Sequence, residues 1–152
     1  MPTITRFEDL ETWKLARIQT NDFQEISNEG LLARDFELRN QMNASSGSVM
    51  DCIAEGFERS GNVEFKNFLI IAKGSNGEFR SQLYRCLDRK YISQLKFDEL
   101  YQRNLVLGNK IMAFISYLQN STFKGQARRT KGFSSNIEHQ TSNLEQSDRT
   151  SF

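Results

Sequence analysis

The chain has 152 residues, about one domain's worth, and is 38% hydrophobic, 26% charged and 11% aromatic, a globular composition. Its net charge of +1 selects no partner by itself. No run approaches the ~20 apolar residues of a membrane span, and the first nine residues lack the apolar stretch of a secretory signal, so a cytoplasmic protein is expected.

The single proline is Pro2, so nothing further along is forced to kink for want of an N–H. That favours an all-α chain. The first helical pattern covers residues 8–27, where Leu10, Trp13, Ala16, Arg17, Thr20 and Phe23 step by three or four and Leu15 and Ile18 widen the face. Phe7 precedes it as a hydrophobic staple, and Asn28-Glu29-Gly30 ends it. The second pattern covers 31–59, with Leu38, Met42, Ser45, Val49, Cys52, Ile53 and Gly56 on one stripe. Its middle, residues 44–48, is almost bare of side chain; helix propensity is poor there, but small residues let two backbones approach.

Ser60-Gly61-Asn62 is a tight connection, with Ser60 or Asn62 as the next N-cap. The third pattern covers 63–90. Phe65, Phe68, Leu69, Ala72, Ser75, Phe79, Leu83, Cys86 and Leu87 share one side, and Gly74 and Gly77 read as close-packing points. The fourth covers 99–120 behind an Asp98 cap, with Leu100, Leu107, Ile111, Phe114 and Leu118 on one stripe and Tyr101, Leu105, Met112 and Ile115 on a second. A helix apolar on two faces is expected to be buried on more than one side, hence an oligomer interface. Residues 121–152 turn polar and are read as a disordered tail after a bundle domain spanning 1–120.

Charge is uneven. Residues 1–120 hold 15 Lys/Arg against 16 Asp/Glu, while 121–152 hold 5 against 3 and gather Lys124, Arg128, Arg129 and Lys131. Cys52 and Cys86 have no C-x-x-C spacing and read as two buried, reduced thiols on helices.

The order of these pieces resembles one family. Phe7-Glu8-Asp9-Leu10 with Trp13, Leu38-Arg39, Ser48-Val49, Ile53-Ala54-Glu55-Gly56 with Arg59, Glu64-Phe65 with Phe68-Leu69, Ile71-Ala72 with Gly74-Ser75 and Glu78, and Tyr91-Ile92-Ser93 are similar to the bacterial four helix bundle proteins encoded in 23S rRNA intervening sequences. The resemblance covers about residues 7–120 and departs at Asp51, where the family has Asn, and at Asn76, where it has an apolar residue. It implies an antiparallel up-and-down four-helix bundle, commonly a homopentamer. It also implies nucleic-acid association, since accessory relatives partner a reverse transcriptase and its RNA.

Candidate sites follow. Glu55 and Glu78 could form a carboxylate pair for acid/base or metal work, but carboxylate-bridged metal bundles need Glu-x-x-His and the only histidine, His139, is in the tail. They are therefore read as structural, accepting hydrogen bonds from neighbouring helices or pairing with Arg39 or Arg59. Lys66, Lys73 and Arg80, seven apart, with Arg85 and Lys90 beyond, form a basic track for phosphates or else a solvated face. Lys124, Arg128, Arg129 and Lys131 are a second phosphate-binding candidate, and Trp13, Tyr84, Tyr91 and Tyr101 could stack bases if exposed. No catalytic triad or zinc spacing occurs, and Gly74-Ser75-Asn76-Gly77 lacks the lysine of a phosphate loop.

The expectation is a non-catalytic homo-oligomer without cofactor or metal that binds RNA or DNA, associating with RNA or a ribonucleoprotein such as a reverse transcriptase complex. The alternatives are a protein-interaction scaffold and, more remotely, a small-ligand site near Glu55 and Glu78.

Overall fold

The computed structural model describes residues 4–121. Every regular element in that span is helical: a 3-10 turn at Phe7–Asp9, then α1 (Glu11–Ser27), α2 (Gly30–Arg34), α3 (Phe36–Glu58), α4 (Asn62–Asp88) and α5 (Gln94–Ser121). The four long helices form an antiparallel up-and-down bundle. α3 packs most extensively on α4 and α4 on α5, and α1 closes the ring by touching both α3 and α5.

Boundaries moved where local chemistry outweighed periodicity. α1 starts at Glu11, not residue 8, because Leu10 takes an extended conformation (φ −68°, ψ 127°) that drops its side chain into the core. Phe7 packs edge-on against Trp13 at 5.1 Å between ring centroids. The expected second helix is broken at Asp35 (ψ 78°), whose carboxylate accepts from the Leu38 N–H at 3.1 Å and so starts a new helix in place of continuing α2. The left-handed residue of the first connection is Gly30 (φ 74°). α4 has no side-chain cap: Gly61 (φ 114°) holds the N-cap position that was expected of Ser60 or Asn62. α5 begins five residues early, at Gln94. Its cap is Ser93, whose Oγ accepts from the Lys96 N–H at 3.1 Å, which leaves Asp98 inside the helix, one turn after Gln94 and accepting from it.

The interior has two apolar layers. One gathers Leu10, Trp13, Ile53, Phe65 and Phe114; the other gathers Phe23, Leu38, Met42, Phe79 and Leu100. The first is stitched by the edge-on pair Phe65–Phe114, with ring centroids 5.1 Å apart. Gly56 sets the α3–α4 spacing there, since a Cβ on it would lie 2.7 Å from Phe68 Cβ and 2.8 Å from a Phe65 ring carbon.

Between the layers lies a polar waist. Gln19, Asn76 and Asn104, from α1, α4 and α5, are 5%, 1% and 0% exposed, so they must satisfy one another. Gln19 Nε2 donates to Asn76 Oδ1 (3.0 Å), and Asn104 Nδ2 donates to Gln19 Oε1 (2.8 Å) and to Asn76 Oδ1 (3.0 Å). Asn76 Nδ2 donates to the Asn104 carbonyl at 3.1 Å. On the α3 side, Ser45 Oγ donates to Gln82 Oε1 (2.6 Å) and Ser75 Oγ to Ser48 Oγ (2.9 Å). The stripe on α1 is corrected accordingly: Gln19 faces inward, whereas Arg17 and Ile18 are exposed.

Candidate nucleic-acid interface

The site is assembled on α4. A helix repeats its direction about every seven residues, two turns, so Lys66, Lys73 and Arg80 share a row and Tyr84, four residues beyond Arg80, continues it. None of the three cations makes an ion pair or side-chain hydrogen bond among the described residues, unlike the paired Arg59, Arg89 and Arg103. Lys73 is exposed, and Lys66 and Arg80 are half-buried, as long cationic side chains are when their stems cover apolar surface. An unpaired cation keeps its full attraction for a phosphate, because binding need not first break an internal pair.

The row ends on an aromatic platform. Tyr84 is 46% exposed and packs on Phe97 (4.9 Å) and Tyr101 (5.9 Å) of α5, and Phe97 stacks on Tyr101 at 5.5 Å. A hydrogen bond with Tyr101 and partial desolvation raise the Tyr84 hydroxyl above its ordinary range, while the positive charge of Arg80 pulls the other way. The phenol therefore stays neutral at physiological pH, with a cation beside it. Three cations leading to an exposed ring is the combination that single-stranded nucleic acid meets in electrostatic grooves with stacking platforms.

The other candidates separate from this row. Arg85 points to the α3 side, where its Nη1 donates to Gln41 Oε1 at 2.9 Å. Lys90 lies in the turn after α4 with φ 60°. Trp13 is buried, and Tyr91 gives its hydroxyl proton to Asp35 at 2.9 Å. Lys124, Arg128, Arg129 and Lys131, and the tail reading as a whole, lie outside the described residues.

Nor do the four structural polar residues meet in one place. Glu55 is exposed and pairs with Arg59 one turn on at 2.9 Å, and Glu78, also exposed, accepts from Gln82 of its own helix at 3.3 Å. The Arg59 guanidinium covers the Phe68 ring at 5.2 Å. Arg39 reaches neither carboxylate; it donates to the Ala33 carbonyl at 2.9 Å and stacks on Phe36 at 4.9 Å. A ligand site between Glu55 and Glu78 is therefore absent among the described residues.

Of the two thiols expected to be buried, Cys52 is only half-buried, whereas Cys86 sits in the second apolar layer, where burial pushes its thiol up to about 11 and makes it a poor nucleophile. Among the described residues no group of three or more His, Cys, Asp or Glu could hold a metal, and no helix is long and apolar enough to cross a membrane.

Gly74 and Gly77 were expected to be close-packing points. Nothing lies within 4 Å of where their Cβ atoms would be, so they open outward beside the exposed Val63, Ile70 and Tyr84. The second stripe of α5 is mostly used within the chain: Ile115 is buried and Tyr101 stacks on Phe97, which leaves Met112 as its large exposed member. Periodicity alone missed the amide ring of the waist. The available signal was Gln19, Asn76 and Asn104 standing at core-facing steps of their helices.

The architecture defines the class, an all-α four-helix bundle with an exposed basic and aromatic face on one of its helices. The model of the 23S rRNA-intervening sequence protein family matches residues 8–113, well over half of the chain, and the protein belongs to that family. No curated protein matches it.

Proposed function

We propose that this protein is a non-catalytic, homo-oligomeric accessory protein that binds nucleic acid through the outer face of α4 and associates with RNA or a ribonucleoprotein, such as a reverse transcriptase complex. The observation that carries the reading is the row of unpaired cations, Lys66, Lys73 and Arg80, ending on the exposed ring of Tyr84. Family membership supports an RNA-associated role at the coarser level.

Oligomerisation would repeat the row around an assembly, five copies if the family resemblance holds, and multiply weak phosphate contacts into a dense positive surface. Support for self-association comes from Val63, Ile70 and Met112, each about half exposed on or beside the same face. The same apolar atoms favour the second reading, a scaffold that holds a protein partner.

Light scattering on sized protein, at low and high salt and with absorbance at 260 and 280 nm, separates the two. An accessory protein elutes as a multimer that carries nucleic acid and sheds it in salt; a scaffold elutes as a multimer without it. Three phosphate contacts per protomer give a slope of log K against log salt of about −2 for a single strand. Reversing Lys73 and Arg80 to Glu should flatten that slope and weaken RNA binding, and unchanged binding would remove this face from consideration.

A further inference from the structure

On the opposite side of the bundle, between the C-terminal end of α1 and the first turns of α3, lies an open cavity of about 260 Å³. Phe23 and Ser27 form its floor, and Gln24, Asn28, Arg39, Asn40 and Asn43 its walls. No carboxylate lines it. Four of the walls are carboxamides, each offering a donor and an acceptor side by side. Gln24 gives one N–H to Asn28 at 2.8 Å, while the side chains of Asn40 and Asn43 make no hydrogen bond among the described residues.

Arg39 is the unusual member. Its guanidinium is clamped from two directions, by the Ala33 carbonyl and the Phe36 ring, yet it faces no anion among the described residues. The clamp fixes the position of the charge, and the remaining N–H groups stay available for an incoming ligand. A fixed, uncompensated guanidinium recruits phosphate or carboxylate. Adjacent carboxamides match the paired donor and acceptor edges of a nucleobase, the arrangement by which Asn and Gln read adenine. The volume is just below the about 300–1,000 Å³ of ordinary small-molecule sites, which suits a single nucleotide rather than a large cofactor.

We infer that the α1–α3 cleft binds one nucleoside monophosphate unit, its phosphate on Arg39 and its base edge on Asn40, Asn43 and Gln24. The unit can be a free nucleotide or one unpaired nucleotide of an RNA chain. This inference shares no residue with the α4 row, so either can fail without the other.

The test is isothermal titration of the full chain with the four ribonucleoside 5′-monophosphates, the four nucleosides, inorganic phosphate and homopentanucleotides. At least one monophosphate is expected to bind, with its nucleoside and inorganic phosphate each weaker by about tenfold or more. Arg39→Gln should lower that affinity by a similar factor. Asn43→Asp should do the same by placing a carboxylate beside Arg39, and because Asn43 is exposed, an unchanged thermal midpoint shows that the fold is intact even if Arg39→Gln fails to fold. Lys73→Glu with Arg80→Glu should leave mononucleotide binding unchanged. A pentanucleotide that outbinds its monomer identifies RNA as the source, and one that does not identifies the free nucleotide. The inference is overturned if no monophosphate binds, if inorganic phosphate binds equally well, or if Asn43→Asp in a folded protein has no effect.

Discussion

Replacing Asn104 by Ala is the sharpest test of how this bundle fixes its register. Asn104 Nδ2 donates to Gln19 Oε1, to Asn76 Oδ1 and to the Asn76 carbonyl, at 2.8 to 3.0 Å. Asn76 would keep its bond from Gln19 through Oδ1 and its bond to the Asn104 backbone through Nδ2. Gln19 Oε1 would lose its one partner, at a position where Gln19 is only 5% exposed. One orphaned buried acceptor costs about 1–3 kcal/mol, and the side-chain void adds to it unless water enters. We expect a loss of about 2–3 kcal/mol in urea unfolding followed by circular dichroism. Replacing Gln19, Asn76 and Asn104 together by Leu removes all the polar partners at once and should cost less than the single change, because no donor or acceptor is stranded. A single variant within about 0.5 kcal/mol of the parent would refute the claim that the three amides satisfy one another.

Gly56→Ala should destabilise by about 1–2 kcal/mol, the overpacking against Phe68 and Phe65 exceeding the gain in helix propensity, whereas Gly74→Ala meets nothing within 4 Å and should gain up to about 1 kcal/mol in the monomer; thermal midpoints of opposite sign are the check. Asp35 is held below the usual carboxylate range by the Leu38 N–H, then by the Tyr91 hydroxyl and Arg89. A carboxyl with a depressed folded pKa stabilises fully above the unfolded value near about 4 and loses that contribution as pH falls through the folded one. The stability gap between the parent and Asp35→Asn should therefore close as pH falls below about 4, and a gap independent of pH would show that the carboxylate is not the source. Glu11→Ala should cost more than Lys110→Met, because it takes a carboxylate away from the ammonium of Lys110, which is 3% exposed, whereas Lys110→Met removes the buried charge itself; equal losses in chemical denaturation would contradict the reasoning.

How far the sequence could be read depended on the range of the interactions. Runs such as Phe65, Leu69, Ala72 and Phe79 placed α4 correctly, because one helix face must bury whatever its neighbours are. The connection at Asp35 was not legible from the apolar phase, which runs on through it; a local carboxylate-to-backbone bond decided the break. The seven-residue spacing put Lys66, Lys73 and Arg80 on one face from sequence alone. That they are unpaired, and that Arg85 turns away to Gln41, depends on which side chains the neighbouring helices bring up.

By itself, then, the sequence determined four long helices, their antiparallel order through short connections, and the family to which the chain belongs. These are short-range consequences of periodicity, missing prolines and turn residues. Only the tertiary structure decided that Gln19, Asn76 and Asn104, separated by 57 and 28 residues, close one amide ring, and that Arg39 stands clamped beside an open cleft. Hydrogen bonds across helices depend on rotation and register, which apolar periodicity leaves free to within a turn and which packing at positions such as Gly56 then fixes.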